Sequence, residues 1–152
     1  MGLSVSLHNV EMQKAQNANF MLTCVGMQGR RKEMEDTHML ITDLPHPRHG
    51  AVVCGVCDGH GGAVTAHIAM KVLPSAIAQV PSPLTPRRVA HCVLESDKHI
   101  LSVLQGGCGC TTVFGIVVPS EDGSSADATI VNVGDSRALY YNAQTRKVVT
   151  IT

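Results

Sequence analysis

The order of patterns along the chain predicts an α+β fold, with helices packed on the outside of a largely antiparallel sheet. Three observations carry this. Apolar, β-branched runs bounded by glycines and polar turns fill the beginning and the end of the sequence, while two stretches of helical spacing stand together in the middle. The apolar run "AVVCGVCD" feeds through glycines straight into the first of those helices. With 152 residues, 44% of them hydrophobic and only 16% charged, the chain suits one domain with a real core.

Taken in order, residues 1–19 are expected to be a flexible N-terminal segment, and residues 20–152 the folded domain. "FMLTCVGMQG" from Phe20 reads as a strand ending in glycine, with "THMLITDL" from Thr37 as its hairpin partner. "AVVCGVCD" from Ala51 is a short apolar run, as in a strand covered on both faces, and it is expected to stop at Asp58. "AVTAHIAMKVLPSAIAQV" has the alanine content and spacing of a helix, kinked or restarted at Pro74. Thr85 and Pro86 then form an N-cap and a proline at the first helical position. Val89, Cys92, Val93, Ile100, Val103 and Leu104 share one face of this second helix, which "GGCG" ends. "TTVFGIVV" and "DATIVNV" flank a turn carrying Asp122-Gly123, a hairpin signal. "GDS" turns the chain into "RALYY", and "KVVTIT" begins one more strand, so the sheet looks unfinished.

Composition excludes several classes of partner. Twelve basic residues balance twelve acidic ones, so no global field draws the chain to nucleic acid or an anionic membrane, and phosphate recognition must be local. Aromatic residues make up 3% and Trp is absent, which leaves no stacking platform for bases. No apolar run approaches the ~20 residues of a membrane helix. Six cysteines without a signal peptide imply a reducing, intracellular setting, cytoplasmic or nuclear, with free thiols. Cys54 and Cys57 have the spacing of a redox or zinc pair, yet on a strand that spacing points them to opposite faces, so they read as small core hydrophobes. "MGLSVS" fits the myristoylation pattern at Gly2, against the alternative of an ordinary flexible terminus; one acyl chain would attach the protein to a membrane only weakly.

Two clusters carry chemistry. In "GVCDGHGG" Asp58 ends a buried strand, which holds its carboxylate rigidly at a cleft, and Gly59 lets a backbone carbonyl come close to whatever Asp58 binds. A carboxylate beside a bare carbonyl supplies two hard oxygen ligands for Mg2+ or Mn2+; the alternative is an Asx-type turn that simply ends the strand. In "GRRKEMEDTH", on a strand, Glu33 and Glu35 share one face and Asp36 takes the other. Crowded carboxylates repel unless a cation neutralises them, and the adjacent arginines suit a doubly charged anion. Cations and phosphate together describe phosphoryl transfer, although a charge run at a hairpin is also what a solvated face looks like.

"MQGRRKEMED", "VCDGHGG", "GCGCTTVFGIVV" and "VNVGDSRALYY" occur in the order and approximate spacing of the metal-dependent serine/threonine protein phosphatases of type 2C, which the chain resembles from about Cys24 onward. The resemblance implies a β-sandwich flanked by helices and incomplete at the C-terminus, since it covers about the first half of such a catalytic domain. It implies two Mn2+ or Mg2+ ions, with Asp58 bridging them, the Gly59 carbonyl on one, and Glu35 and Asp36 holding them directly or through water. It further implies that Arg31 grips the substrate phosphate, that His60 protonates the departing oxygen, and that Asp135 joins a weaker third metal or else fixes a turn. Phosphoserine and phosphothreonine proteins would be the partners of a monomer. The family's later metal-binding aspartates have no counterpart, because no Asp follows Asp135. Three readings follow: the N-terminal part of an active phosphatase, a non-catalytic module that binds phosphoproteins, or a redox or zinc protein using Cys54, Cys57, Cys108 and Cys110.

Overall fold

The computed structural model describes residues 10–44, 48–104 and 106–152. Strands β1 (Val10–Gln16) and β2 (Met21–Met27) form an antiparallel hairpin of their own. The Asn17 carboxamide closes it, its Oδ1 accepting from the backbone N–H groups of Asn19 and Phe20. Its Nδ2 donates to the carbonyls of Thr42 and Gly50, which ties the hairpin to the rest of the molecule. Residues 10–16 are therefore an ordered strand, where a flexible segment was expected. The reason lies in that one asparagine, since "VEMQKAQ" by itself has weak strand propensity.

Strands β3 (Thr37–Ile41) and β4 (Val52–His60) pair antiparallel, and the partner expected for β2 thus belongs to another sheet. Exposure explains the difference. On β2 the half-buried and exposed residues alternate, as on a strand with one covered face, whereas every residue of β3 is at least half-buried, with Met39 fully so. β4 also runs past Asp58 to His60, because β5 (Gly109–Pro119) continues the ladder with the pairs Gly59↔Cys110 and His60↔Gly109.

Between β4 and β5 lie α1 (Val64–Ala78) and α2 (Pro86–Val103). Thr65, Ala66, Ala69, Leu73 and Ile77 form the buried stripe of α1, which packs on β3, β4 and β5 through small residues that allow close approach. Pro74 does not interrupt this helix. α2 packs on α1, and its Thr85 cap accepts from the Arg88 N–H at 3.4 Å. Val89, Ser96 and Ile100 are buried on α2, with Cys92, Val93 and Leu104 packed beside them. Val103, expected on that face, is 56% exposed in the last turn. β6 (Ala126–Val133) completes a central sheet of order β3-β4-β5-β6, and β7 (Leu139–Asn142) with β8 (Lys147–Thr150) makes a last hairpin.

Helices thus cover one face of the central sheet, while β2 and the residues leading into β7 approach the other, each lining a hollow with β4. Ala51, Val53 and Cys57 of β4 meet Met39, Phe114, Ile116, Leu73 and Ile77 in the core. Each large side chain among them contributes roughly 1.5–3 kcal/mol on burial. Among the described residues Arg48 is a buried cation, 4% exposed. Its guanidinium donates to the carbonyls of Ile77, Ala78 and Val80 where α1 ends, and burial pushes its pKa down. No helix among the described residues is long and apolar enough to cross a membrane. Gly2 lies outside the described residues.

Candidate active site

The ladder between β3 and β4 ends at Thr37↔Cys57, which places Asp36 and then Glu35 just beyond it, opposite Asp58 and Gly59. Asp36 and Asp58 both line a cavity of about 260 Å3, together with Met34, His38, Val56 and Ser136. Although Asp36 as a residue is exposed, its carboxyl pKa is raised, first by desolvation and next by the charge of Asp58; Glu35 adds to this and Arg31 opposes it. Two carboxylates lining one cavity form a natural seat for a cation.

Glu35 faces elsewhere. Its Oε1 accepts from the backbone N–H of Gly62 at 2.6 Å, and its Oε2 lies 3.6 Å from Arg31 Nη2. It therefore links the loop after β4 to the arginine, whose side chain is 79% exposed and free to reach a ligand. Gln28, which sequence reasoning passed over, holds this loop by donating to the carbonyls of Arg31 and Lys32. Lys32 and Glu33 form a bend and residues 34–36 have no regular structure, so the strand alternation expected for Glu33 to Asp36 has no ladder behind it.

Gly59 has a definite steric reason. A Cβ there would lie 2.3 Å from the Glu35 carbonyl oxygen. Glycine is thus required for β4 to pass the "MED" segment. At Gly61, φ is +71° and a Cβ would meet the Gly107 carbonyl oxygen at 2.4 Å, so the turn after His60 also depends on glycine. The His60 imidazole lies over Gly109, where an added Cβ would come within 2.5 Å of Nε2. His60 lines a neighbouring cavity of about 360 Å3 between α1, α2 and the start of β5.

Asp135 is exposed in the bend after β6. The next residue, Ser136, reaches the acid-lined cavity, where its hydroxyl shares a 2.8 Å hydrogen bond with Thr111, the partner of Asp58 in the ladder. Gly109, Thr111 and Ser136 all lie inside motifs visible in the sequence, but only the register gives them a place. A hollow of about 580 Å3 beside Arg88, His91 and Glu95 contains none of these groups.

Asp36 and Asp58 offer hard oxygen atoms of the right charge for a divalent cation, but too few for a complete octahedral shell. Among the described residues, no three His, Cys, Asp or Glu side chains converge as a metal cage.

A family model described as protein phosphatase 2C matches residues 21–152. The chain belongs to the protein phosphatase 2C family. Relatives include the probable protein phosphatase 1N of Homo sapiens, 33% identical over 76% of this chain and 27% of that protein. Protein phosphatase 1L of Bos taurus is 30% identical over 74% of this chain and 33% of its own length. The chain therefore spans about a third of the length of these curated relatives. Among solved structures, a bacterial serine phosphatase variant superposes with a TM-score of 0.58 at 18% identity, covering 94% of this chain and 60% of that one. Serine/threonine phosphatase Stp1 from Staphylococcus aureus gives 0.52 at 19% identity, covering 100% of this chain and 55% of that one. Both likenesses bear on the fold alone, and both fit a protein phosphatase 2C architecture of antiparallel sheets with two helices.

Proposed function

We propose that this chain carries the metal-holding and phosphate-binding half of a protein phosphatase 2C site, one that hydrolyses phosphoserine and phosphothreonine in proteins. The observation that supports it best is the convergence of Asp36, just before β3, and Asp58, on β4, into one cavity. Asp36, Asp58 and the Gly59 carbonyl would hold Mn2+ or Mg2+, with Asp135 close by in sequence to Ser136 at the cavity wall. When bound, such ions lower the pKa of water from ~15.7 toward neutrality and so supply a nucleophile for phosphorus.

The other steps belong to side chains. Arg31 binds the phosphate through its guanidinium, and Glu35 restrains that arginine while also fixing the Gly62 end of the loop. His60 donates a proton to the departing serine or threonine oxygen, a contribution of roughly 10²–10⁴-fold in such reactions. Its position two residues after Asp58, with the ring seated over Gly109, suits that task.

Mn2+ titrated calorimetrically into the purified chain tests the cation site. Heat of binding that disappears in Asp58→Asn is the expected result, and unchanged binding in that variant would remove the basis of the reading. In a complete protein phosphatase 2C domain that includes these residues, the same substitution is expected to abolish turnover of a phosphothreonine peptide.

A further inference from the structure

We propose that Cys57 and Cys110 form an oxidisable dithiol, which a peroxide entering the cavity beside His60 converts into an intramolecular disulfide. The proposal is independent of the phosphatase reading. It starts from the register. Cys57 pairs with Thr112 and Cys110 with Gly59, so the two cysteines are diagonal neighbours on the same face of β4 and β5. The two thiols perturb one another, Cys110 pushing the Cys57 pKa up and Cys57 drawing the Cys110 pKa down. Cys54, the apparent CxxC partner in the sequence, points to the opposite face.

Access is asymmetric. Cys57 is fully buried, whereas Cys110 is half-buried and lines the 360 Å3 cavity with His60, Asp97 and Cys108. Cys110 would therefore react first. Its sulfur attacks one peroxide oxygen, the O–O bond breaks, and water leaves with the thiol proton, giving the sulfenic acid. The Cys57 sulfur then attacks the Cys110 sulfur, the S–O bond breaks, and a second water leaves with the Cys57 proton. One peroxide is reduced to two waters as two thiols become one disulfide. Cys108 is the competing partner, but its sulfur accepts from Thr65 Oγ1 at 3.0 Å and is held toward α1.

Diagonal Cα atoms stand roughly 7–8 Å apart, beyond the usual disulfide span of about 4.4–6.8 Å. The bond must therefore distort the ladder between β4 and β5 next to Asp58. A strained bridge of this kind is readily reduced, so the oxidation should reverse with dithiothreitol.

The test uses the reduced 152-residue chain, treated with equimolar hydrogen peroxide, then alkylated and peptide-mapped under non-reducing conditions. The expected result is loss of two free thiols and a peptide joining Cys57 to Cys110, absent in Cys110→Ser and retained in Cys54→Ser and Cys108→Ser. The map of the unsubstituted chain decides the question even if a variant fails to fold. A bridge to Cys108, sulfinic acid at Cys110 with Cys57 still free, or six intact thiols would each overturn the proposal.

Discussion

A methyl group added at Gly59 would meet backbone, the Glu35 carbonyl oxygen at 2.3 Å, whereas one added at Gly109 would meet the tip of the His60 side chain at 2.5 Å. Backbone cannot move aside cheaply and a ring can. Gly59→Ala is therefore expected to cost about 1–3 kcal/mol, as overpacking does, and to weaken Mn2+ binding; urea unfolding and calorimetry check both. Gly109→Ala should leave stability within about 1 kcal/mol while displacing the imidazole, seen as a shift of the His60 ring resonances by NMR. Asp122 makes a separate prediction at this scale. Hydrogen bonds from the Ser120 hydroxyl, the Ser124 N–H and the Ser124 hydroxyl hold its pKa down at about 2. The stability this contributes is present above the ordinary carboxylate pKa and is lost as pH falls through about 2. An NMR titration of its carboxyl carbon reports the midpoint directly.

At the scale of elements, α1 depends on a residue that no helix pattern reveals. Arg48 lies far from α1 in sequence and satisfies the carbonyls where that helix ends, placing a positive charge at the negative end of the helix dipole. Arg48→Met should lower stability by about 2–3 kcal/mol, since hydrogen bonds to a charged group are lost while the carbonyls stay buried. Urea denaturation measures this. By comparison, Thr85→Ala at the cap of α2 should cost about 1 kcal/mol. That cap was plain in the sequence because capping is local, set by Thr85, Pro86 and the Arg88 N–H. The Arg48 contacts were hidden because they span some thirty residues. The pairing of β2 was misread for a similar reason: "THMLITDL" follows it closely and looks like a partner, while the Asn17 turn that recruits β1 is inconspicuous.

At the scale of the whole molecule, apolar side chains stay in solvent at both ends of the chain. Met12, Met21 and Val25 on the first hairpin and Leu139, Tyr141 and Val148 on the last are all more than half exposed. The chain alone is expected to enhance the emission of anilinonaphthalene sulfonate and, with two converging carboxylates, to turn over phosphopeptide weakly or not at all in Mn2+. Steady-state fluorescence and a phosphate-release assay check these. The α+β class, both helices, the β5–β6 hairpin and the two chemical motifs could be read before any coordinates, since periodicity, caps, turns and short glycine-rich motifs are encoded among near neighbours. Three-dimensional structure alone established that Asp36 and Asp58 line one cavity while Glu35 turns to Gly62 and Arg31, that Ser136 returns to Thr111, and that Cys57 shares a sheet face with Cys110 in place of Cys54. Those relations depend on strand register, and register is fixed by which face the core buries, a property that no local stretch of the chain possesses.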